Sequence, residues 1–291
     1  MSLEKNFYRQ SPEAYLSSYS PESELTPSEE KLADFLMQET ESFPIPAFED
    51  FEEVYMPDQL DKDRKKLREV IGDFENYSGE RSDMVTRLLL HLVYDLEYLK
   101  PKGGNWEIYA GLTHPYDDKL RGSDMVIVLF NPDTGEELPI SVDTTTDIEP
   151  EKKKDKLKRD FEHGNLRQLK YYKSPIMGEA VGTQEMPHVV VGYPPEEVQR
   201  LAKMWAKYGD KAFARLGIEQ KLREELVKQL DKQVEGVKIL APANTQSELT
   251  AKLERTALVL SDTKEKEAAE ETPVAPIKFS QLLSYHEGYG S

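Results

Sequence analysis

The order of periodicities along this 291-residue chain predicts an α/β fold, a mixed central sheet flanked by helices. Three observations carry that reading. Residues 80–99 set Met84, Val85, Leu88, Leu89, Leu92, Val93 and Leu96 on one stripe of 3.6-residue period, which is an amphipathic helix. Three β-rich runs follow it closely enough to pair as a meander. A fourth apolar run, MPHVVVGY (186–193), returns after a helical crossover, and a strand reached that way lies parallel to its neighbour.

Each element has a local cause. In NWEIYAGL, Trp106, Ile108 and Ala110 alternate with polar residues, the pattern of a half-buried strand. SDMVIVLF (123–130) is a continuous β-branched run, and the NPDTG that follows has the composition of a hairpin turn leading into ELPISVDTTTD (137–147). The segment 151–173 predicts a long helix with Leu157, Phe161, Leu166 and Leu169 facing inward and Gly164 as its weak point. PPEEVQRLAKMWAKYG opens with proline, carries acids in its first turn and stops at glycine, all helix signals. EQKLREELVKQLDKQVEG closes the body as a further helix.

Charge divides the chain. The net charge is −17, yet residues 1–60 hold fourteen acids and three bases, whereas residues 151–173 hold nine bases and four acids. The first stretch, interrupted by prolines, predicts an acidic, partly disordered arm over 1–60, with one short helix at PSEEKLADFLMQE capped by Ser28. The opposite charges suggest that this arm shields the basic segment. Residues 61–240 form the predicted body, and 241–291, rich in Thr, Glu, Lys, Ala and Pro, a low-complexity tail ending in the docking-like IKFSQLLSYH. With no cysteine, thiol catalysis, disulfide scaffolds and cysteine-bearing zinc sites are excluded. No apolar run approaches the ~20 residues of a membrane span, and the first residues lack the basic-then-apolar order of a leader, so a cytoplasmic protein with no membrane partner is expected. The five histidines show no metal-ligand spacing, and His91, inside the apolar stripe, reads as a hydrogen-bonded core residue.

Two acids stand at strand ends. Asp124 opens the second strand after Gly122-Ser123, and Asp143 sits late in the third, in Ile140-Ser141-Val142-Asp143-Thr144-Thr145. Asp124 alone also reads as a strand cap. A charge at position 143, after a buried run, needs a partner or a metal. Carboxylates from strands joined by a hairpin can converge into an all-oxygen site suited to Mg2+ or Mn2+, with Glu80 at the start of the long helix as an auxiliary third.

The helix, three-strand meander, helix, strand order, with G-S-D on strand two and V-D-x-T on strand three, resembles the PD-(D/E)xK nuclease superfamily over about residues 80–205. Gln168-Leu-Lys-Tyr-Tyr172 looks like the Q-x-x-x-Y motif of its RecB-type members. The resemblance implies a restriction-endonuclease-like fold and a divalent-metal-dependent nuclease, with Asp124 and Asp143 as metal ligands. It also implies that Gln168, Lys170 and Tyr172 contact nucleic acid, DNA more readily than RNA, from the helix beside the site. Thr145 stands where the family carries lysine, and a hydroxyl supplies no ammonium to the transition state. Lys152, Lys153, Lys154, Lys156, Lys158 and Lys170 are candidates for a relocated cation. The other reading is a catalytically inactive nuclease-fold protein that binds nucleic acid or protein partners, the latter through its acidic arm or its tail.

Overall fold

The computed structural model describes residues 25–71, 80–101, 103–146 and 158–261. The chain is mixed α/β. Strand β1 (Glu107–Leu112), β2 (Met125–Asn131) and β3 (Glu136–Thr145) form an antiparallel meander, and β6 (His188–Gly192) adds in parallel to β3, so the four-stranded order is β1-β2-β3-β6. Gly135, at φ 71°, closes the β2–β3 hairpin by donating its N–H to the Asn131 carbonyl. A separate ribbon, β4 (Arg167–Lys173) with β5 (Ala180–Met186), lies between β3 and β6 in sequence.

Strand alternation gives the central sheet two different faces. Met125, Ile127 and Leu129 of β2 and Leu138, Ile140 and Val142 of β3 pack into the large core with helix α3 (Glu80–Tyr94), whose stripe residues Met84 to Val93 are buried as expected. That core also takes in α1 (Pro27–Thr40), α5 (Pro195–Tyr208), α6 (Lys211–Arg215), α7 (Ile218–Leu240) and α8 (Ala243–Ser261). On the other face, Val126 and Val128 meet Leu169, Tyr172 and Met186 of the ribbon. A third cluster, Phe51, Leu60, Leu67, Tyr116 and Tyr171, joins the ribbon to α2 (Pro57–Ile71), to a 3₁₀ turn at Phe48–Phe51 and to α4 (Pro115–Arg121).

The packed body starts earlier and ends later than the sequence predicts. Helix α1 is part of the core, with Leu32 and Leu36 fully buried. Thr26, rather than Ser28, caps it, and Glu29 completes a reciprocal capping box. Glu29 also holds Arg81 of α3 at 2.7 Å, with both side chains buried. Burial alone would raise the Glu29 pKa, but hydrogen bonds from Arg81 and Thr26 outweigh it and hold the carboxyl below its usual range. Residues 25–60 are therefore an anchored layer, not an arm. Likewise α8 buries Leu249, Leu253, Ala257 and Leu260 in the large core, so residues 241–261 belong to the body. The predicted docking segment at 277–286 lies outside the described residues.

The segment 151–173 departs most from expectation. Its helical part, 158–162, stops where Gly164 adopts φ 71° and Asn165 donates to the Asp160 carbonyl, a helix-ending wrap. Residues 167–173 then form β4, so the Gln168–Tyr172 motif lies on a strand, not a helix. Tyr-Tyr has strong β propensity, and a register shift between Leu169 and Tyr172 lets both tyrosines be buried, Tyr171 in the aromatic cluster and Tyr172 against the sheet. Among the described residues, no helix is long and apolar enough to cross a membrane.

Candidate active site

The chain between β1 and β2 folds as the short helix α4. His114 caps it by accepting the Tyr116 N–H on Nδ1, Pro115 supplies a preset φ, and Gly122 ends it in the left-handed region at φ 68°. That reversal returns the chain so that Asp124, at the entry to β2, faces Asp118 in the preceding turn. The two carboxyls lie close enough to hydrogen-bond when one is protonated, and Lys119 reaches Asp118 at 3.0 Å. Burial, then the Asp124 charge, pushes the Asp118 pKa up to about 7, against the pull of Lys119. For Lys119, burial alone would lower the pKa, but the carboxylates of Asp118, Asp124 and Asp83 outweigh it and hold the ammonium above its usual value.

Asp124 is fixed in place from α3 and β3. One of its carboxylate oxygens accepts both the backbone N–H and the hydroxyl of Thr144, each at 2.6 Å. Having donated its proton there, the Thr144 hydroxyl accepts from Thr86 of α3, 2.6 Å away. Beneath this relay, Ser123, Ser141 and His188 form a buried row, with Ser123 Oγ to Ser141 Oγ at 2.6 Å and Ser141 Oγ to His188 Nδ1 at 3.0 Å. The row ties the starts of β2 and β6 to β3, so the Asp124 backbone has little freedom.

The structure treats the other predicted residues differently. Asp143 is buried, and strand alternation turns it away from the face that Thr144 shares with α3, toward Arg167 of β4. Burial lowers the Arg167 pKa, opposed by the charges of Asp160 and Asp143. Thr145 is buried at the end of β3, where its register partner is Gly192. Glu80 opens α3, and its side chain is not among those described. Among the described residues, no third His, Asp or Glu ligand atom joins Asp124 with either Asp143 or Asp118 within 4.8 Å; the single such group is Glu39, His91 and Asp95.

The proposed nucleic-acid contacts are already committed within the chain. Gln168 Nε2 donates to Glu185 at 2.7 Å, and the Gln168 carbonyl accepts from Arg121. Lys170 is paired with Asp63, which also accepts the Tyr171 hydroxyl at 2.6 Å. Tyr172 is only 3% exposed, so it presents no surface to a phosphate backbone. Asp117, fully buried, accepts the backbone N–H groups of Lys170 and Tyr171 at 2.8 Å each, locking β4 to α4. Lys173 pairs with Asp50 at 2.8 Å. The acids of the N-terminal layer thus meet the bases of β4 as fixed packing partners. Of the proposed relocated cations, Lys152, Lys153, Lys154 and Lys156 lie outside the described residues, and Lys158 is exposed.

The residues missed by sequence reasoning are Asp118 and Lys119. Their signal is the Asp-Asp-Lys of Pro-Tyr-Asp-Asp-Lys-Leu-Arg-Gly-Ser-Asp, but only the left-handed glycine brings Asp118 to Asp124. Set against known proteins, the chain has no match among family models, curated proteins or solved structures.

Proposed function

We propose that this chain is a divalent-metal-dependent, nuclease-like domain of restriction-endonuclease-like architecture, with Asp118 and Asp124 as cation ligands and Lys119 as the ammonium beside them. The observation that carries this reading is the meeting of two carboxyls and one lysine at the solvent-accessible entry to β2. The mixed β1-β2-β3-β6 order, with its parallel last pair, is compatible with it. Two facing carboxyls are an all-oxygen donor set, which fits Mg2+ or Mn2+. When bound, such a cation would supply Lewis-acid stabilisation of charge developing on a phosphodiester.

The chain's own groups do the rest. Thr144 holds Asp124 in one orientation, so no reorganisation is needed when a substrate arrives. Lys119 offers the positive charge that Thr145 lacks, from the helix before β2 instead of from β3. Asp143 serves with Asp160 as counter-charge to the buried Arg167 and helps to keep the ribbon seated beside the site. DNA remains the preferred polymer over RNA.

A second reading is favoured by a specific observation: Gln168, Lys170 and Tyr172 are committed inside the chain, which withdraws them from nucleic acid and suits a catalytically inactive nuclease-fold module that binds a protein partner. Incubating the full chain with single-stranded and duplex DNA and MnCl2 separates the two. The enzyme reading predicts cleavage that falls roughly a hundredfold or more in Asp124→Asn and Asp118→Asn. Equal rates in the native chain and in Asp124→Asn contradict the site, and neither cleavage nor DNA binding supports the protein-binding module.

A further inference from the structure

At the far end of α3 from Asp124, a different constellation gathers. One ring nitrogen of His91 and one carboxylate oxygen each from Glu39 and Asp95 lie within 4.8 Å of one another. His91 lies in the last turn of α3, Asp95 follows directly after the helix and donates its N–H to the His91 carbonyl, and Glu39 comes from the last turn of α1. Two helix C-termini therefore converge here, and α1 has no basic residue in its last turn to balance the partial negative charge.

The imidazole is the independent observation. It is 3% exposed, its Nδ1 lies 2.7 Å from Asp95 Oδ2, and its Nε2 makes no hydrogen bond although Asp210 Oδ1 lies 3.5 Å away. A neutral ring donating from Nδ1 to Asp95 would aim the Nε2 lone pair at the Asp210 carboxylate, an uncompensated buried acceptor facing a negative charge. A second ring proton would answer both carboxylates, and so would a cation in the place of the Nδ1 proton, but the converging Glu39 carboxylate has a use only with the cation. The ring proton moves to Nε2 and faces Asp210, the outer carboxylate partner that a ligating histidine commonly has. Asp210 is itself held by the Trp205 indole N–H at 3.1 Å, and Phe35 packs edge-on against the ring at 5.3 Å, so the imidazole cannot swing away.

We propose that Glu39, His91 and Asp95 bind a divalent transition-metal ion, zinc foremost, that clips α1 to α3. A nitrogen ligand beside carboxylates favours zinc over magnesium, which separates this site from the all-oxygen pair at β2. The test is calorimetric titration of ZnCl2 into the chelator-stripped full chain, with melting temperature as a second readout. The expected result is one-to-one binding that raises the melting temperature and weakens by at least about tenfold in Glu39→Gln and in Asp95→Asn. Glu39→His, which restores a ligand at the same place, should retain it. Glu39 is exposed and Asp95 about one-third exposed, so these variants test the site without emptying the core. No zinc binding, or binding unchanged in Glu39→Gln and Asp95→Asn, overturns the proposal.

Discussion

The two ends of helix α3 handle acidic side chains in opposite ways. Toward its N-terminus every acid described has a donor built into the chain: Arg81 meets Glu29, Arg87 meets Asp83 at 2.9 Å, and Asp124 takes the Thr144 amide and hydroxyl with Thr86 behind them. At its C-terminus three carboxylates, Glu39, Asp95 and Asp210, surround a single imidazole. The difference is one of compensation. Where the chain supplies its own cations and N–H groups, buried acids such as Glu29 set the fold; at the other end the carboxylates reach solvent, and the ion proposed there would supply the missing charge.

The largest effect on stability should come from breaking the N-terminal half. Arg81→Met leaves the Glu29 carboxylate buried beside an apolar side chain, and removing one partner of a buried pair typically costs about 3–5 kcal/mol. Urea unfolding measures it, and the double variant Glu29→Leu/Arg81→Met should recover much of the loss; a cost below about 1 kcal/mol would show that α1 is not anchored there.

A contrast between two buried histidines sharpens the comparison. His114, 1% exposed among the rings of Phe48, Phe51 and Tyr171, has its pKa lowered to about 4, by burial against the raising influence of Asp50, Glu49 and Asp63. The sign follows. Above about pH 6.5 the ring is neutral both folded and unfolded; as pH falls from there toward 4, only the unfolded chain takes up the proton, and stability drops by roughly 3 kcal/mol from this residue. Asn at 114 keeps an N-cap acceptor and does not titrate, so His114→Asn should be less stable at neutral pH yet lose much of that slope. A slope unchanged by the substitution would refute the assignment.

The smallest effect concerns β4. Lys170→Met should lower stability by about 1–2 kcal/mol, since Asp63 keeps the Tyr171 hydroxyl but loses its ion pair. It should leave the salt dependence of any DNA affinity unaltered, because an ammonium spent on Asp63 neutralises no phosphate. A reduced salt slope would return Lys170 to the nucleic-acid surface.

What was legible in the sequence was local pattern. Helix α3, the meander and the NPDTG hairpin follow from periodicity and turn chemistry, which act within a few residues; β6 is parallel to β3 as expected, but the connection that makes it so runs through the β4–β5 ribbon and not through the expected long helix. Helix α1 was visible, but its place in the core was not, because the Glu29–Arg81 pair spans 52 residues that composition alone labels an acidic arm. The Gln168–Tyr172 spacing misled for a physical reason. Residues four apart share a face on a helix and on a strand alike, so the motif could not reveal which it occupied. One residue of the three in the candidate site was legible, since Asp124 stands out as a strand-end acid. Asp118 was not, because its approach depends on the left-handed turn at Gly122. Similarly, His91 and Asp95 show helical i,i+4 spacing, but Glu39 arrives from another helix.

The proposed function requires that the Asp118–Asp124 pair, and not Asp143, hold the cation for phosphodiester chemistry. Electron paramagnetic resonance of Mn2+ titrated into the zinc-loaded full chain decides it. A bound-Mn2+ signal that disappears in Asp124→Asn and in Asp118→Asn but survives in Asp143→Asn is the predicted result; a signal untouched by Asp118→Asn and Asp124→Asn would contradict it.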